Sequence, residues 1–205
     1  MSRPQTASEV WQTLSQGNRN FISGTPSHPR QDADLRRSVA VEQKPFAALF
    51  GCSDSRLAAE MIFDVGLGDL FVVRNAGQVI AETILGSLEF AVEVLEVPLI
   101  MVLGHDDCGA IKATVDSAEG KLDLQGSFIH NLVNRILPSV MRGREFGESS
   151  LEQLTTRHVC DTIDELIERS AIIQRAINDG RLAVVGANYR LEEGEVQLIA
   201  QKGAI

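Results

Sequence analysis

The stretches FAALFGCSDSR (residues 46–56) and PLIMVLGHDDCG (residues 98–109) decide the fold of this chain. Each opens with an apolar run and closes in a cluster of cysteine, histidine, aspartate or arginine side chains. Because a short apolar run bounded by turn residues is typical of a buried strand, we predict strands at 46–51 and 98–104. Each polar cluster then lies where a strand ends and a helix begins, which is where open α/β sheets bind their ligands.

Strands and helices alternate along the rest of the chain. Apolar spacing predicts further strands at 70–74, 181–186 and 194–200, and helical stretches that include 82–96 and 152–178. This alternation indicates an α/β fold with a central, mostly parallel sheet flanked by helices. In the common strand order 2-1-3-4, here with a fifth strand at the edge, the first and third strands are neighbours. The two polar clusters would therefore meet in one crevice at the carboxyl ends of these strands.

The length of the chain is consistent with one domain. A chain of 205 residues can bury a sizeable core, and we expect a single domain over residues 1–205. Residues 1–44 would form an N-terminal arm and a connection, and residues 45–205 the α/β core with C-terminal helices and the edge strand. Within the arm, apolar spacing predicts a helix over 8–22 with Ser8 as its N-cap.

Charge and composition exclude several classes of partner. The formal net charge is -9 at pH 7, and nucleic acids or anionic membranes need clustered Lys and Arg, so we expect neither as a partner. No apolar run reaches the roughly 18 residues of a membrane span, and residues 1–16 lack the plan of a signal peptide, which predicts a cytoplasmic protein. In a reducing compartment, three cysteines are more typical of metal ligands or nucleophiles than of a disulfide framework.

Two thiolates and one imidazole, from Cys52, Cys108 and His105, would suit zinc better than magnesium or calcium. Three protein ligands leave one of four tetrahedral positions open, as in catalytic zinc sites. We therefore predict one zinc ion per chain, with a zinc-bound hydroxide as the nucleophile. Because two thiolates cancel the formal charge of the ion, bound water should be less acidic than on a site of three histidines. Activity should then be higher on the alkaline side.

Asp54 lies two residues from Cys52 and has two possible positions. Its carboxylate could coordinate zinc as a fourth ligand, or it could accept a hydrogen bond from the hydroxide. Arg56 decides between them, because a guanidinium that binds the carboxylate in a bidentate fork would hold it off the metal. The sequence leaves both arrangements open.

CSDSR at the end of the first strand and HDDCG after the third resemble the motifs of β-class carbonic anhydrases. The similarity extends to the helical arm, to FVVRN (residues 71–75) and to RLAVVG (residues 181–186). The first motif alone is moderately specific, but both at this distance in an α/β frame are a strong signal. Members of that family hydrate carbon dioxide reversibly to bicarbonate and a proton, so the resemblance implies a zinc lyase.

The resemblance also implies roles for individual residues. By position, the zinc ligands would be Cys52, His105 and Cys108, the catalytic pair Asp54 and Arg56, and a substrate contact the amide of Gly109. In plant-type members a glutamine nine residues before the first zinc cysteine binds substrate, and Gln43 occupies that position. Aromatic residues of the facing subunit wall the pocket, at positions held here by Phe71 and Phe90. The resemblance therefore implies a homodimer or a tetramer.

Other functions are compatible with the same residues. A catalytically silent zinc-binding or sensing module would keep Asp54 permanently on the metal. A thiol redox protein would use Cys52 and Cys108 as a reversible pair. Some relatives on this fold hydrolyse carbon disulfide or carbonyl sulfide. Cys160 is interpreted as an ordinary buried cysteine, since its ligand-type neighbour His158 points another way on a helix.

Overall fold

The computed structural model describes residues 3–124 and 126–205, within which five strands form one sheet of order β2-β1-β3-β4-β5. The strands are β1 (Ala47–Cys52), β2 (Leu70–Asn75), β3 (Leu99–His105), β4 (Ala183–Tyr189) and β5 (Val196–Lys202). The first four strands run parallel to one another, and β5 pairs with β4 in the antiparallel direction. The predicted α/β class and the predicted order 2-1-3-4 with a fifth strand at the edge are confirmed.

Helices cover both faces of the sheet. They are α1 (Ala7–Ile22), α2 (Ala33–Ser38), α3 (Ala59–Ile62), α4 (Glu82–Glu93), α5 (Gly109–Ala118), α6 (Ser127–Glu145), α7 (Leu151–Arg169) and α8 (Ala171–Asn178). Apolar residues of α1, α3, α5 and α6 form the core on one face, and those of α4 and α8 form it on the other, while α7 contributes to both. Because both faces are covered, every residue of β1, β3 and β4 is buried.

The start of α1 differs from the prediction. Its N-cap is Thr6 and not Ser8. The Thr6 hydroxyl accepts a hydrogen bond from the Glu9 amide at 3.2 Å, and the Glu9 carboxylate accepts one from the Thr6 amide at 3.2 Å. This reciprocal capping box satisfies two amides that a helix terminus leaves without partners, so the helix begins one residue earlier than its apolar spacing indicated.

The predicted helical stretch 152–178 is two helices that meet at Ser170. This residue ends α7 in an extended conformation, and its hydroxyl accepts a hydrogen bond from the Ile173 amide at 3.2 Å, which caps α8. The same hydroxyl donates to Glu89 of α4 at 2.6 Å. A serine that caps one helix and bonds another turns the chain, so that α8 packs against α4 and α7.

The carboxyl ends of β1, β2 and β3 lie side by side. Cys52 at the end of β1 is level with Asn75 of β2, and Gly51 is level with Leu103 of β3. His105 ends β3 two residues further on. The two polar clusters therefore meet at one edge of the sheet. No helix in the described parts of the chain is long and apolar enough to span a bilayer.

Candidate metal centre

Cys52, His105 and Cys108 form a compact cluster of buried side chains. One ligand atom from each residue lies within 4.8 Å of the others. Cys52 ends β1, His105 ends β3, and Cys108 immediately precedes α5, so three rigid elements fix the three side chains. Two thiols and an imidazole in this proximity are a donor set for a borderline-soft ion such as zinc.

His105 presents one ring nitrogen to the cluster. Its Nδ1 lies 2.8 Å from the carbonyl oxygen of Asp106, so Nδ1 carries the proton and donates it. Nε2 then has a free lone pair, and it is buried without a hydrogen-bond partner among the described residues. A buried acceptor without a partner is costly, and a metal ion would satisfy it. The tautomer of His105 therefore fits metal binding.

The two cysteines differ in acidity because their side chains lie close together in the cluster. The neighbouring Cys108 thiol lowers the pKa of Cys52, and the hydrogen bond from the Gly77 amide acts in the same direction. The pKa of Cys108 is raised by the same contact and by burial. The cluster thus favours a thiolate beside a thiol, and a metal ion that binds both sulfurs displaces the remaining proton.

Arg56 binds the carboxylate of Asp54 in a bidentate fork. Its Nε donates to Oδ1 at 2.9 Å and its NH2 group donates to Oδ2 at 2.7 Å, while the Arg56 amide donates to Oδ1 at 2.9 Å. The fork holds the pKa of Asp54 well below its usual range, so the carboxylate is ionised. Oδ2 lies 3.9 Å from Nε2 of His105. The carboxylate is therefore beside the ligand cluster, with both oxygens bound by Arg56.

Arg56 also joins the two sequence motifs. Its NH2 group lies 3.4 Å from the carbonyl oxygen of Asp107, and its NH1 group lies 3.8 Å from the Asp107 carboxylate. Hydrogen bonding to Asp54 raises the pKa of Arg56, and the charge of Asp107 adds to this effect. The negative charge of Asp107 thus stabilises the guanidinium that holds Asp54.

Two further residues support this end of the sheet. The guanidinium of Arg74, in β2, donates to the carbonyl oxygens of Cys52 at 2.8 Å and of Asp54 at 2.7 Å, which fixes the backbone of the first motif. His158 of α7 is buried and lies 2.7 Å from the carbonyl oxygen of Gly77. Neither role was predicted. Arg74 belongs to FVVRN but was given no role at the metal centre, and the contact of His158 is with a backbone atom 81 residues away, which no sequence motif marks.

Gln43, Phe71 and Phe90 lie away from this cluster. Gln43 precedes β1 and lines a surface cavity at the opposite end of the sheet. Phe71 is level with Ala48, four residues or about 13 Å along the strand from Cys52. The rings of Phe71 and Phe90 contact each other, with centroids 6.1 Å apart. The structure therefore brings the two aromatic residues together, but not beside the cluster of their own chain.

Gly109 and Cys160 are the two remaining residues for which the sequence predicted a role or an environment. Gly109 is the first residue of α5 and follows Cys108 directly, so its amide belongs to the helix terminus, where amides have no partner within the helix. Cys160 lies in α7 apart from the cluster and is only partly buried, whereas we expected it to be buried. Partial burial raises the pKa of its thiol.

Comparison with known proteins shows similarity along nearly the whole chain. A family model described as carbonic anhydrase matches residues 47–196. Carbonic anhydrase 2 of Mycobacterium tuberculosis is 49% identical over 189 residues, which are 92% of this chain and 91% of that protein. The carbonic anhydrase of Mycolicibacterium smegmatis is 46% identical over 196 residues, or 96% of this chain and 95% of that protein. Among solved structures, the β-carbonic anhydrase CcaA has a TM-score of 0.72 at 25% identity, covering 96% of this chain and 92% of that one.

Proposed function

Because this chain belongs to the β-class carbonic anhydrase family, its activity is the zinc-dependent, reversible hydration of carbon dioxide, and we propose residue roles for it. Cys52, His105 and Cys108 hold one zinc ion per chain. The observation that carries this proposal is the buried cluster whose ligand atoms lie within 4.8 Å of one another. Bound zinc supplies Lewis acidity, which makes water a nucleophile.

Asp54 and Arg56 orient the reacting water. The Asp54 carboxylate is ionised and accepts hydrogen bonds only, so it selects a water whose O–H points toward it. The Arg56 fork fixes both carboxylate oxygens and keeps them from rotating toward His105. The Gly109 amide, at the N-terminus of α5, donates to an oxygen of carbon dioxide or bicarbonate. Each group is held before substrate arrives, which lowers the cost of ordering it.

The fork distinguishes this proposal from the other functions. A silent zinc module needs Asp54 on the metal, whereas its two oxygens are bonded to Arg56 at 2.9 and 2.7 Å. A dithiol redox protein needs Cys52 and Cys108 to form a disulfide reversibly, whereas these two thiols converge with His105 Nε2 as metal ligands do. Both comparisons favour catalysis at an open metal position.

Stopped-flow measurement of carbon dioxide hydration with a pH indicator tests the function. We expect zinc-loaded protein to reach a kcat/KM of at least about 10⁶ M⁻¹s⁻¹ at alkaline pH. We expect the rate to fall toward weakly acidic pH, because two thiolates neutralise zinc and weaken its acidifying effect on water. Chelator-treated protein is the control, and carbonyl sulfide and carbon disulfide are competing substrates. No hydration at alkaline pH, or a faster turnover of either sulfur compound, would contradict the proposal.

The active unit is a homodimer in which each chain completes the site of its partner. The support is the position of Gln43, Phe71 and Phe90 at the end of the sheet away from the cluster of their own chain. Phe90 is 43% exposed, and such an exposed ring is available to a partner. In the dimer, Gln43 of one chain would bind substrate at the zinc of the other, and the two rings would wall the pocket. A tetramer would pair two such dimers. We place the protein in the cytoplasm, where a reducing environment keeps zinc-ligating cysteines out of disulfides.

A heterodimer experiment tests whether Gln43 acts on the partner. Two affinity tags allow dimers of a Gln43→Ala chain with a Cys52→Ser chain to be purified. If Gln43 acts between chains, each such dimer contains one site in which Gln43 and Cys52 are both intact. We expect them to regain about half of the parental activity, while each variant homodimer is impaired. The matched control pairs a Gln43→Ala/Cys52→Ser chain with a parental chain and should stay impaired. Action within one chain predicts the reverse pattern.

A further inference from the structure

The turn after β2 contacts the metal centre through its backbone. The amide of Gly77 donates a hydrogen bond to Sγ of Cys52 at 3.3 Å. Gly77 and Gln78 both have positive φ, of 70° and 39°, so the turn has a conformation that few residues adopt. Such a conformation persists only where its surroundings impose it. The groups that impose it therefore determine where this amide points.

His158 bonds the same turn through its imidazole ring. It is 4% exposed, and its Nε2 lies 2.7 Å from the carbonyl oxygen of Gly77 while its Nδ1 lies 3.2 Å from the Ser139 hydroxyl. Burial lowers the pKa of His158, so the ring is neutral and carries one proton. A carbonyl oxygen only accepts hydrogen bonds, so the proton is on Nε2, and Nδ1 accepts from Ser139. Both ring nitrogens are thus satisfied.

Close packing removes the remaining freedom of the turn. A Cβ atom on Gly77 would lie 2.7 Å from Ile136 of α6 and 2.9 Å from Ala110 of α5, so both helices contact the turn here. The side chain of Asn75 also brackets the turn, since it accepts from the Val79 amide at 2.9 Å and donates to the Val79 carbonyl oxygen at 2.8 Å. Within this enclosure, His158 supplies the hydrogen bond that fixes Gly77 itself.

We propose that His158 is a positioning residue of the metal centre, which acts through Gly77 to hold a backbone amide against the Cys52 sulfur. The inference rests on the proposed role of Cys52 as a zinc ligand. A hydrogen bond to a thiolate withdraws charge from the sulfur, and it orients the sulfur toward the ion. His158 does not touch substrate. Its effect appears in metal affinity and in the electronic structure of the metal–sulfur bond.

Variants of His158 can separate its two hydrogen bonds. The amide of glutamine reaches the position of Nε2, so His158→Gln keeps a donor for Gly77. The amide of asparagine reaches only the position of Nδ1, so His158→Asn keeps the bond to Ser139 and loses the one to Gly77. His158→Leu loses both. His158→Gln is therefore the matched control for His158→Asn, because both variants lose the imidazole ring at the same buried position.

Cobalt(II)-substituted protein provides two readouts that do not depend on catalysis. Loss of the hydrogen bond from the Gly77 amide makes the Cys52 thiolate a stronger electron donor. We therefore expect the sulfur-to-cobalt charge-transfer band to move to lower energy in the Asn and Leu variants. We expect competition with a chelator to show about a tenfold loss of cobalt affinity in both, and His158→Gln to keep the parental band and affinity within about threefold. Far-ultraviolet circular dichroism identifies a variant that fails to fold. The comparison of His158→Asn with His158→Gln then tests the role of the hydrogen bond to Gly77.

Cadmium-113 NMR of the parental protein tests the contact without any substitution. A scalar coupling between the ion and the Gly77 amide proton, transmitted through Sγ of Cys52, is expected. Its absence contradicts the inference, as does a parental band in His158→Asn or a shifted band in His158→Gln. These outcomes are distinct from a failure of the proposed function, in which the parental protein would not hydrate carbon dioxide although the cobalt spectra differ among the variants.

Discussion

Cys108→Ser is expected to lose its zinc on dialysis against a chelator and to lose carbon dioxide hydration with it. A serine hydroxyl does not ionise near neutral pH, so the substitution leaves Cys52 and His105 as the two remaining ligands. The binding free energy of structural zinc in small zinc-finger peptides is on the order of 10–16 kcal/mol. Loss of one ligand of three should therefore lower the zinc affinity by about three orders of magnitude. Zinc content after dialysis against a chelator, measured by elemental analysis beside the stopped-flow rate, checks this expectation.

Cys160→Ser is the matched control, because it changes the same residue type outside the cluster. We expect this variant to keep one zinc per chain and the parental hydration rate. Full zinc content in Cys108→Ser would show that the buried cluster is not the metal site. An equal loss in both variants would indicate that serine disturbs the fold, since α7 and the start of α5 have only the fold in common.

Arg56→Ala is expected to keep zinc and lose activity by about a thousandfold, a loss of the size found when one oriented polar group is removed from an active site. The substitution removes both side-chain bonds to the Asp54 carboxylate, whose Oδ2 lies 3.9 Å from Nε2 of His105. The freed carboxylate can then rotate to the metal and block the position that water needs. Zinc content and hydration rate, measured on the same sample, separate this effect from metal loss.

The pH dependence of the variant follows from the sign of the Asp54 shift. Arg56 lowers the pKa of Asp54, so its removal returns the pKa upward toward the ordinary aspartate range. Asp54 is then still ionised at neutral and alkaline pH, and its protonation cannot explain the loss. For the same reason, Asp54 does not cause the expected rise in parental activity toward alkaline pH.

Two further variants identify the cause of the loss. If captured Asp54 blocks the metal, Asp54→Asn/Arg56→Ala should recover part of the activity lost in Arg56→Ala, because a neutral amide is a poorer zinc ligand. Arg169→Ala is the matched control, since Arg169 forms an exposed pair with Glu165 within α7. It should leave rate and zinc content unchanged. Parental activity in Arg56→Ala would disprove the orienting role of the fork.

The sequence determined the sheet and the composition of the metal cluster. The apolar runs before Cys52 and His105 are local signals, because burial on both faces requires a continuous apolar strand. Their α/β order then predicts adjacent first and third strands, as found. The choice of zinc depends on the chemistry of thiolates and imidazole, which is a property of residue type. Helix boundaries were less predictable, since Thr6 and Ser170 act through hydrogen bonds that apolar spacing does not encode.

Only the tertiary structure decided how the side chains around the cluster are used. Asp54 could have been a ligand or a hydrogen-bond acceptor, and the choice depends on ångström-scale distances to Arg56 that no spacing specifies. Phe71 lies about 13 Å along the sheet from the Cys52 end, and Phe90 of α4 contacts it there, which only the strand register and the packing reveal. His158 contacts the backbone carbonyl oxygen of Gly77, an atom that every residue has, so the sequence does not indicate this partner. Residue type determines which chemistry is available, and packing between distant segments determines which of it is used.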